Sequence, residues 1–392
     1  MIRLFTFLFT GLFLFSVTTS CKDKFKPEDQ FIKIYDDANG NTSYKPLAIE
    51  QTQDNGYIIL TNINSWNIGI LKIDKTGELE WKYLLPSKYV NALPTFIRQG
   101  NALYFTCMDE IGLFTYIMRI DEAQHSVSEH QQFNYILYPT AAYAKDQQIF
   151  IQNYQRYSYE TGIYQINTSL TDTLRSRSLQ IMTDVEEKIV DHITHQKRLP
   201  FSVHVTPEAD NIVMSGFYNY SFSLVFLDNN LNFKGVYNGP GFNGGIKALL
   251  PLGSSQYSVA RYSYDYLYFA TRTELVPTAI DIIDNIPGEG FAEIDPSKPV
   301  LIRPAQINNK KYSLLIGTTR SNNILIQYMS PLSQRKEGSK YIGKNTPYTI
   351  CDAIVTPDNG LLLLIQIKVM GIYNKVAIVK LTENDLAAGV LK

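Results

Sequence analysis

The chain has 392 residues, a formal charge of −1 and 45% hydrophobic residues. That is more than one simple domain usually holds, normal for a closed repeat fold, and ample for a core. Near-zero charge without a basic stripe argues against nucleic acid as a partner, and 27 tyrosines fit a β-rich fold, since Tyr favours strands and pairs across them.

In chain order, Met1 to Arg3 give a short positive end and Leu4 to Val17 an almost unbroken apolar run of about 14 residues. Such a run is too short to cross a ~30 Å hydrocarbon core as a stable helix and suits a signal h-region. Thr18-Thr19-Ser20 then bring small residues up to Cys21. An ordinary secretory signal with an incidental cysteine is the bland alternative. Val17-Thr18-Thr19-Ser20-Cys21 resembles the lipobox of bacterial lipoproteins. The resemblance implies that residues 1–20 are removed and that Cys21 is acylated, becomes the N-terminus and holds the chain to a membrane. Several acyl chains anchor stably where one does not. No later run approaches 18 apolar residues, so lipid is the only anchor expected. Residues 21–30, charged and Pro-containing, read as a solvated tether. They also resemble the charged signal that sends Bacteroidota lipoproteins to the outer face of the outer membrane, with Lys24 interrupting its acids. The implied location is the outer membrane of a Gram-negative bacterium, facing the cell exterior.

From residue 31 one pattern recurs. Thr52-Gln53-Asp54-Asn55-Gly56-Tyr57 is followed by Lys72-Ile73-Asp74, and Thr356-Pro357-Asp358-Asn359-Gly360-Leu361 by Lys380-Leu381-Thr382. Asn and Gly tolerate the positive φ of a tight hairpin, so each copy reads as strand, turn, strand, strand. Weaker copies turn at Gln99-Gly100-Asn101, Lys145-Asp146-Gln147, Thr206 to Asn211, Gly253-Ser254-Ser255 and Asn308-Asn309-Lys310, making seven units. Asp74, Asp121 and Asn167 fall about 46 residues apart; the next step, to Asp228, is about 15 longer, which places an insertion near 183–197. A second insertion, 275–291, follows the third strand of the fifth unit. A fourth strand follows most third strands, as at Leu79 to Leu84.

The expected fold is therefore all-β: one β-propeller of seven four-stranded blades over 31–392. A pair of β-sandwiches is the competing class, disfavoured by seven units at one spacing. Phe31 to Asp36 alternates apolar with polar and is predicted to supply the outermost strand of the last blade, covering an edge. The repeat resembles the blades of Bacteroidota propeller lipoproteins, with Asp-Asn-Gly-Tyr at the first turn and Lys-Ile-Asp after the third strand.

Signs of chemistry are sparse. Cys107 and Cys351 sit in apolar runs of non-adjacent units, which predicts two buried thiols, and there is no Cys-x-x-Cys pair for zinc. The sequence has no Gly-x-Ser-x-Gly elbow, phosphate loop or His-Glu-x-x-His. His192 and His195 could share a helix face as weak metal candidates, but spacing identifies no third ligand; no metal or cofactor is expected. Asp109, Glu110, Asp265 and Glu274 are loop acids of the type used in glycoside hydrolysis, and context marks out none. Asp172-Thr173-Leu174 resembles the short O-glycosylation site of Bacteroidota. Tyrosines crowd the third to fifth units, and two explanations stand. They fill space between blades, or Tyr157, Tyr159, Tyr218, Tyr220, Tyr262 and Tyr264 stack on sugars or anchor a protein. A platform must expose several rings at one mouth of the ring of blades. The expected function is a non-enzymatic, surface-exposed binding or scaffold lipoprotein. Analogy with the family's habitat suggests an accessory subunit of an outer-membrane uptake or assembly complex, with a membrane protein complex or a glycan or peptide as partner. The alternative is a carbohydrate-active enzyme, a glycoside hydrolase or lyase, using acids at the central channel.

Overall fold

Strands of five to nine residues are not stable alone, and hairpins become so only when a third and fourth strand or a second sheet covers their apolar faces. In the computed structural model, which describes residues 31–36, 41–194, 199–207, 211–253, 255–343, 346–369 and 373–390, seven antiparallel sheets do this for one another. The signal segment, Cys21, the tether and His195 lie outside the described residues. The blades span 44–84, 89–137, 139–180, 202–238, 244–290, 300–342 and 348–381, each a meander starting at the strand nearest the axis, and together they form a seven-bladed propeller. Phe31–Tyr35 is the outermost strand of blade 7, antiparallel to Tyr373–Leu381 with Phe31 opposite Lys380 and Tyr35 opposite Val376, as its alternation predicts. The cores lie between blades: Leu314 and Ile326 pack with Leu363 and Val379, and Ile59 and Leu71 with Leu364 and Ile378.

The repeat motif has a physical reason. In blade 1 the Lys72 ammonium, on a side chain only 2% exposed, reaches Asp54 Oδ2 at 2.8 Å and Glu80 at 2.9 Å. Asp54 also accepts the Gly56 amide at 3.0 Å and the Thr52 hydroxyl. Asn55 sits at φ 65°, and a Cβ on Gly56 would come 2.4 Å from the Ile73 carbonyl. Blade 7 repeats the device, with Lys380 2.8 Å from Asp358 and its hydroxyl partner Thr356. The Thr-x-Asp-Asn-Gly turn and the third-strand lysine are therefore one unit: the acid satisfies a buried cation and closes the hairpin.

Two blades depart from four strands. The inner edge of blade 2 is split into Tyr89–Val90 and Phe96–Gln99. Blade 4 gains a fifth strand, Ile280–Ile282, from the insertion that follows the third strand of blade 5, and it pairs in parallel with Phe233–Asn238. Only Gly235 lets that chain pass, because a Cβ there would lie 2.4 Å from the Ala279 carbonyl. The first insertion folds back onto the blades. It forms α1 (Glu186–Thr194), which buries Ile189, His192 and Ile193 against Tyr138, Tyr154, Phe217 and Phe222.

Candidate functional site

A meander that begins at the axis sends the turns joining first to second and third to fourth strands to one end of the ring. The loops joining second to third strands, and the connections between blades, emerge at the other. The tight Asp-Asn-Gly turns occupy the first end, and α1 and the tyrosine-bearing loops the second. Tyr157 is 85% exposed, Tyr264 65%, Tyr220 60% and Tyr159 44%, all in second-to-third-strand loops of blades 3, 4 and 5. Trp66 and Ile111, in the equivalent loops of blades 1 and 2, are exposed too.

Three of these tyrosines share a backbone feature. Tyr159 (φ 52°), Tyr220 (φ 65°) and Tyr264 (φ 52°) occupy the left-handed region. A bulky residue there is strained, and Asn or Gly would fit better. Tyr218 and Tyr262 are only half-buried: Tyr218 stacks on Phe233 with ring centroids 5.6 Å apart, and the Lys247 ammonium lies 4.7 Å above the Tyr262 ring. Burial pushes the Tyr262 hydroxyl up to about 12. Tyr154 and Tyr257, by contrast, are fully buried. Both explanations of the tyrosine excess thus have residues that follow them.

Beside Tyr264 is a hollow of about 430 Å³ between α1 and blades 4 to 6. Phe217, Phe222, Phe242, Tyr262 and Tyr264 supply its aromatic surface. Lys188, Lys247 and Arg320 face Asp191, Asp265 and Asp295 around it. Arg320 is held by two carbonyls, Ala292 O at 2.9 Å and Asp265 O at 2.6 Å, and the Lys188 ammonium lies 4.6 Å over Phe242. The hollow meets the central channel at Leu199 and Lys247, which line both.

The channel pocket, about 230 Å³, is lined by Lys45, Lys247, Arg303, Cys351 and Asp352 with several prolines and aliphatics. Arg303 donates to Asp352 Oδ1 at 2.7 Å and to the Ala353 carbonyl at 2.6 Å. Burial, against the nearby Cys351, drags Lys45 down to about 8. Burial and the charge of Arg303 take His204 down to about 4, leaving it neutral, and burial pushes the Cys351 thiol up to about 12.

The remaining candidates are scattered. Asp109 caps its own loop by accepting the Phe114 amide at 2.9 Å, while Glu110 lies near Trp66 beside α1. Asp265 belongs to the hollow, and Glu274 ends a strand at the opposite end of the ring, accepting from Ser255 at 3.3 Å. His192 is buried, its ring 4.9 Å from Phe201 and its Nδ1 accepting the Leu199 amide at 3.0 Å. Among the described residues no cluster of three His, Cys, Asp or Glu could hold a metal ion. Neither Cys107 nor Cys351 forms a disulfide; the first is buried and the second half-buried on the channel wall. The sequence reading missed the channel cations, since nothing in their spacing relates Lys45 to Lys247 or Arg303 until the ring closes. A larger hollow of about 1100 Å³ lies at the turn end between blades 5, 6 and 7, with Tyr312 as the one aromatic among its described lining residues.

No protein-family model matches the sequence, and no curated protein matches it. Solved structures resemble it in shape. A putative 6-phosphogluconolactonase from Bacteroides fragilis is 13% identical with a TM-score of 0.46, over 85% of this chain and 92% of that one. The WD40 domain of coronin from Toxoplasma gondii is 8% identical with a TM-score of 0.42, over 70% and 68%. Likenesses this distant carry no argument about function.

Proposed function

We propose that the chain is a non-enzymatic, lipid-anchored binding or scaffold module at the outer membrane, holding a glycan or peptide on its loop end as an accessory subunit of an uptake or assembly complex. The observation that supports binding is the grouping of Tyr157, Tyr159, Tyr220 and Tyr264 on one end of the ring, three of them on strained backbone. Exposed rings forgo burial and strained residues cost stability, so their coincidence at one mouth fits a surface kept for a ligand. Rigid rings also lose little conformational entropy on binding, and the opposed charges of the hollow offer both donors and acceptors to a hydroxylated or amide-bearing partner.

Support for the orientation comes from Phe31. It pairs with Lys380, beside the Asp358 turn, so the chain enters the propeller at the turn end. A lipidated Cys21 on ten tether residues of ~3.3 Å each would hold that end within about 30 Å of a membrane and turn the rings away from it.

The enzyme alternative needs two carboxylates facing one bond, about 5–10 Å apart. Asp352, the one acid among the described residues lining the channel pocket, is tied to Arg303, which favours binding over hydrolysis; the aspartates of the hollow are the acids the alternative would use. A glycan and peptide panel scored for both retention and reducing-end release separates them. Retention without release is expected, and turnover abolished by a single Asp265→Asn or Asp295→Asn change would sink the binding-module proposal. Retained membrane association of Cys21→Ala would remove the anchor from it.

A further inference from the structure

We infer that the hollow at the turn end, where blade 5 faces blade 6, is a binding site for an acidic oligosaccharide, its carboxylate or sulfate held by Arg272 and Lys311. The site lies at the opposite end of the ring from the exposed tyrosines and does not rest on them.

A break in one strand creates the site. In Tyr266–Glu274, the third strand of blade 5, Leu267 and Phe269 pack with Val300, Ile302 and Leu315 of blade 6. Strict alternation would put Arg272 on the other side, with Tyr268 and Ala270. The pairing with the second strand slips, however. Ala270 stands opposite Val259 and Thr273 opposite Tyr257, so Thr271 and Arg272 together oppose the single residue Ser258. This bulge reverses the phase, and Arg272 turns into the hollow against blade 6. Bulges re-aim side chains in this way and recur beside binding sites. The same stretch lacks an outer neighbour. The fourth strand of blade 5 pairs only with Tyr268 and Phe269, because residues 280–282 have first joined blade 4. Among the described residues no fourth strand covers Arg272, which stays exposed.

The chemistry of the lining selects the ligand. Arg272, Lys310 and Lys311 line the hollow, and no acid does among its described residues. Lys310 is already paired with Glu337, which leaves the other two. Arg272 donates through Nε to the Gln256 amide oxygen at 3.1 Å. That neutral partner orients the guanidinium and leaves its outer nitrogens for a carboxylate or sulfate. Neither Arg272 nor Lys311 forms an ion pair among the described residues. Glu274, two residues on, accepts from Ser255 at 3.3 Å and lies outside the lining. Around the cations stand the amides of Gln306, Asn309 and Asn359 and the hydroxyls of Ser313 and Ser330. Such groups both donate and accept, as sugar hydroxyls do. Leu252 and Leu332, both exposed, give the C–H face of a ring an apolar surface. The hollow runs on past Asn359 of blade 7, and its 1100 Å³ has room for more than one sugar ring.

The test is titration calorimetry of the full chain at low ionic strength with three probes: tri-D-galacturonate, a heparin tetrasaccharide and neutral maltotriose. Saturable binding of at least one acidic probe is expected, with maltotriose at least tenfold weaker, and the tighter probe identifies the acid group. Arg272→Gln and Lys311→Gln should each weaken it at least tenfold with unchanged circular dichroism. Lys82→Gln, an equal charge change on the exposed outer strand of blade 1, should not. If Arg272→Gln disturbs the bulge, Lys311→Gln alone carries the comparison. No saturation by either acidic probe up to on the order of 10 mM, maltotriose binding as tightly as the acids, or equal loss in Lys82→Gln overturns the inference. The Tyr220→Asn/Tyr264→Asn double variant should bind the acidic probe unchanged; loss there would move the site to the loop end and overturn the inference as well.

Discussion

At the scale of single residues, the buried lysine of the repeat is a stabilising device used in blades 1 and 7. Burial alone would raise the Asp54 carboxyl, but hydrogen bonds from Lys72, Thr52 and the Gly56 amide reverse that and hold it down at about 2. A group depressed in the folded state adds stability that is present above its unfolded range near pH 4. That contribution disappears as pH falls toward 2, so acid unfolding should be shallower in Asp54→Asn than in the parent. Asp54→Ala should cost about 1–3 kcal/mol in urea unfolding, because the buried ammonium keeps Glu80 but loses its partner in the turn, and the turn loses its acceptor. Lys72→Met added to it should recover part of the loss; no recovery would mean that the turn, and not the ion pair, is what matters. The motif was legible as Asp-Asn-Gly followed by Lys-Ile-Asp. Its reason was not, since the lysine and the turn meet only when the third strand folds back over the second.

At the scale of elements, closure of the ring and the places of the insertions were readable, and what the insertions form was not. Phe31 to Tyr35 announces itself by alternation, and its hydrogen-bonded partner is the last long strand of the chain. Tyr35 also reaches blade 1, its hydroxyl donating to the Gly77 carbonyl at 2.8 Å. Tyr35→Ala should therefore cost about 3–5 kcal/mol, as a buried aromatic truncation does. Deleting residues 31–35 should lower the midpoint further and produce concentration-dependent association, seen by size-exclusion chromatography, because the edge of blade 7 is left bare. A monomeric variant of parental stability would show that the strand closes nothing. The parallel strand Ile280–Ile282 escaped the sequence because three residues carry no periodicity and the partner strand lies more than 40 residues back. The burial of α1 was hidden in the same way, because Ile189 and Ile193 find their partners only on neighbouring blades.

At the scale of the whole molecule, seven blades were countable because turn chemistry and spacing agreed over most of the chain. The binding surface depends instead on phase. Strict alternation puts Tyr262, Tyr264, Tyr266 and Tyr268 on one side of a strand, yet Tyr264 falls in a left-handed turn that breaks the alternation, and the ring swings out to solvent. A position that tolerates Tyr at positive φ is better served by Asn, so Tyr220→Asn and Tyr264→Asn should keep or raise stability by up to about 1 kcal/mol. The same two substitutions provide the most direct test of the central claim, that the loop end is a surface kept for a ligand. Retention of a glycan and peptide panel should be compared for the parent and the Tyr220→Asn/Tyr264→Asn double variant, alongside thermal unfolding. The account predicts a ligand whose affinity falls at least tenfold in a variant as stable as the parent. Unchanged retention of every ligand, or a variant that unfolds markedly earlier, would contradict it.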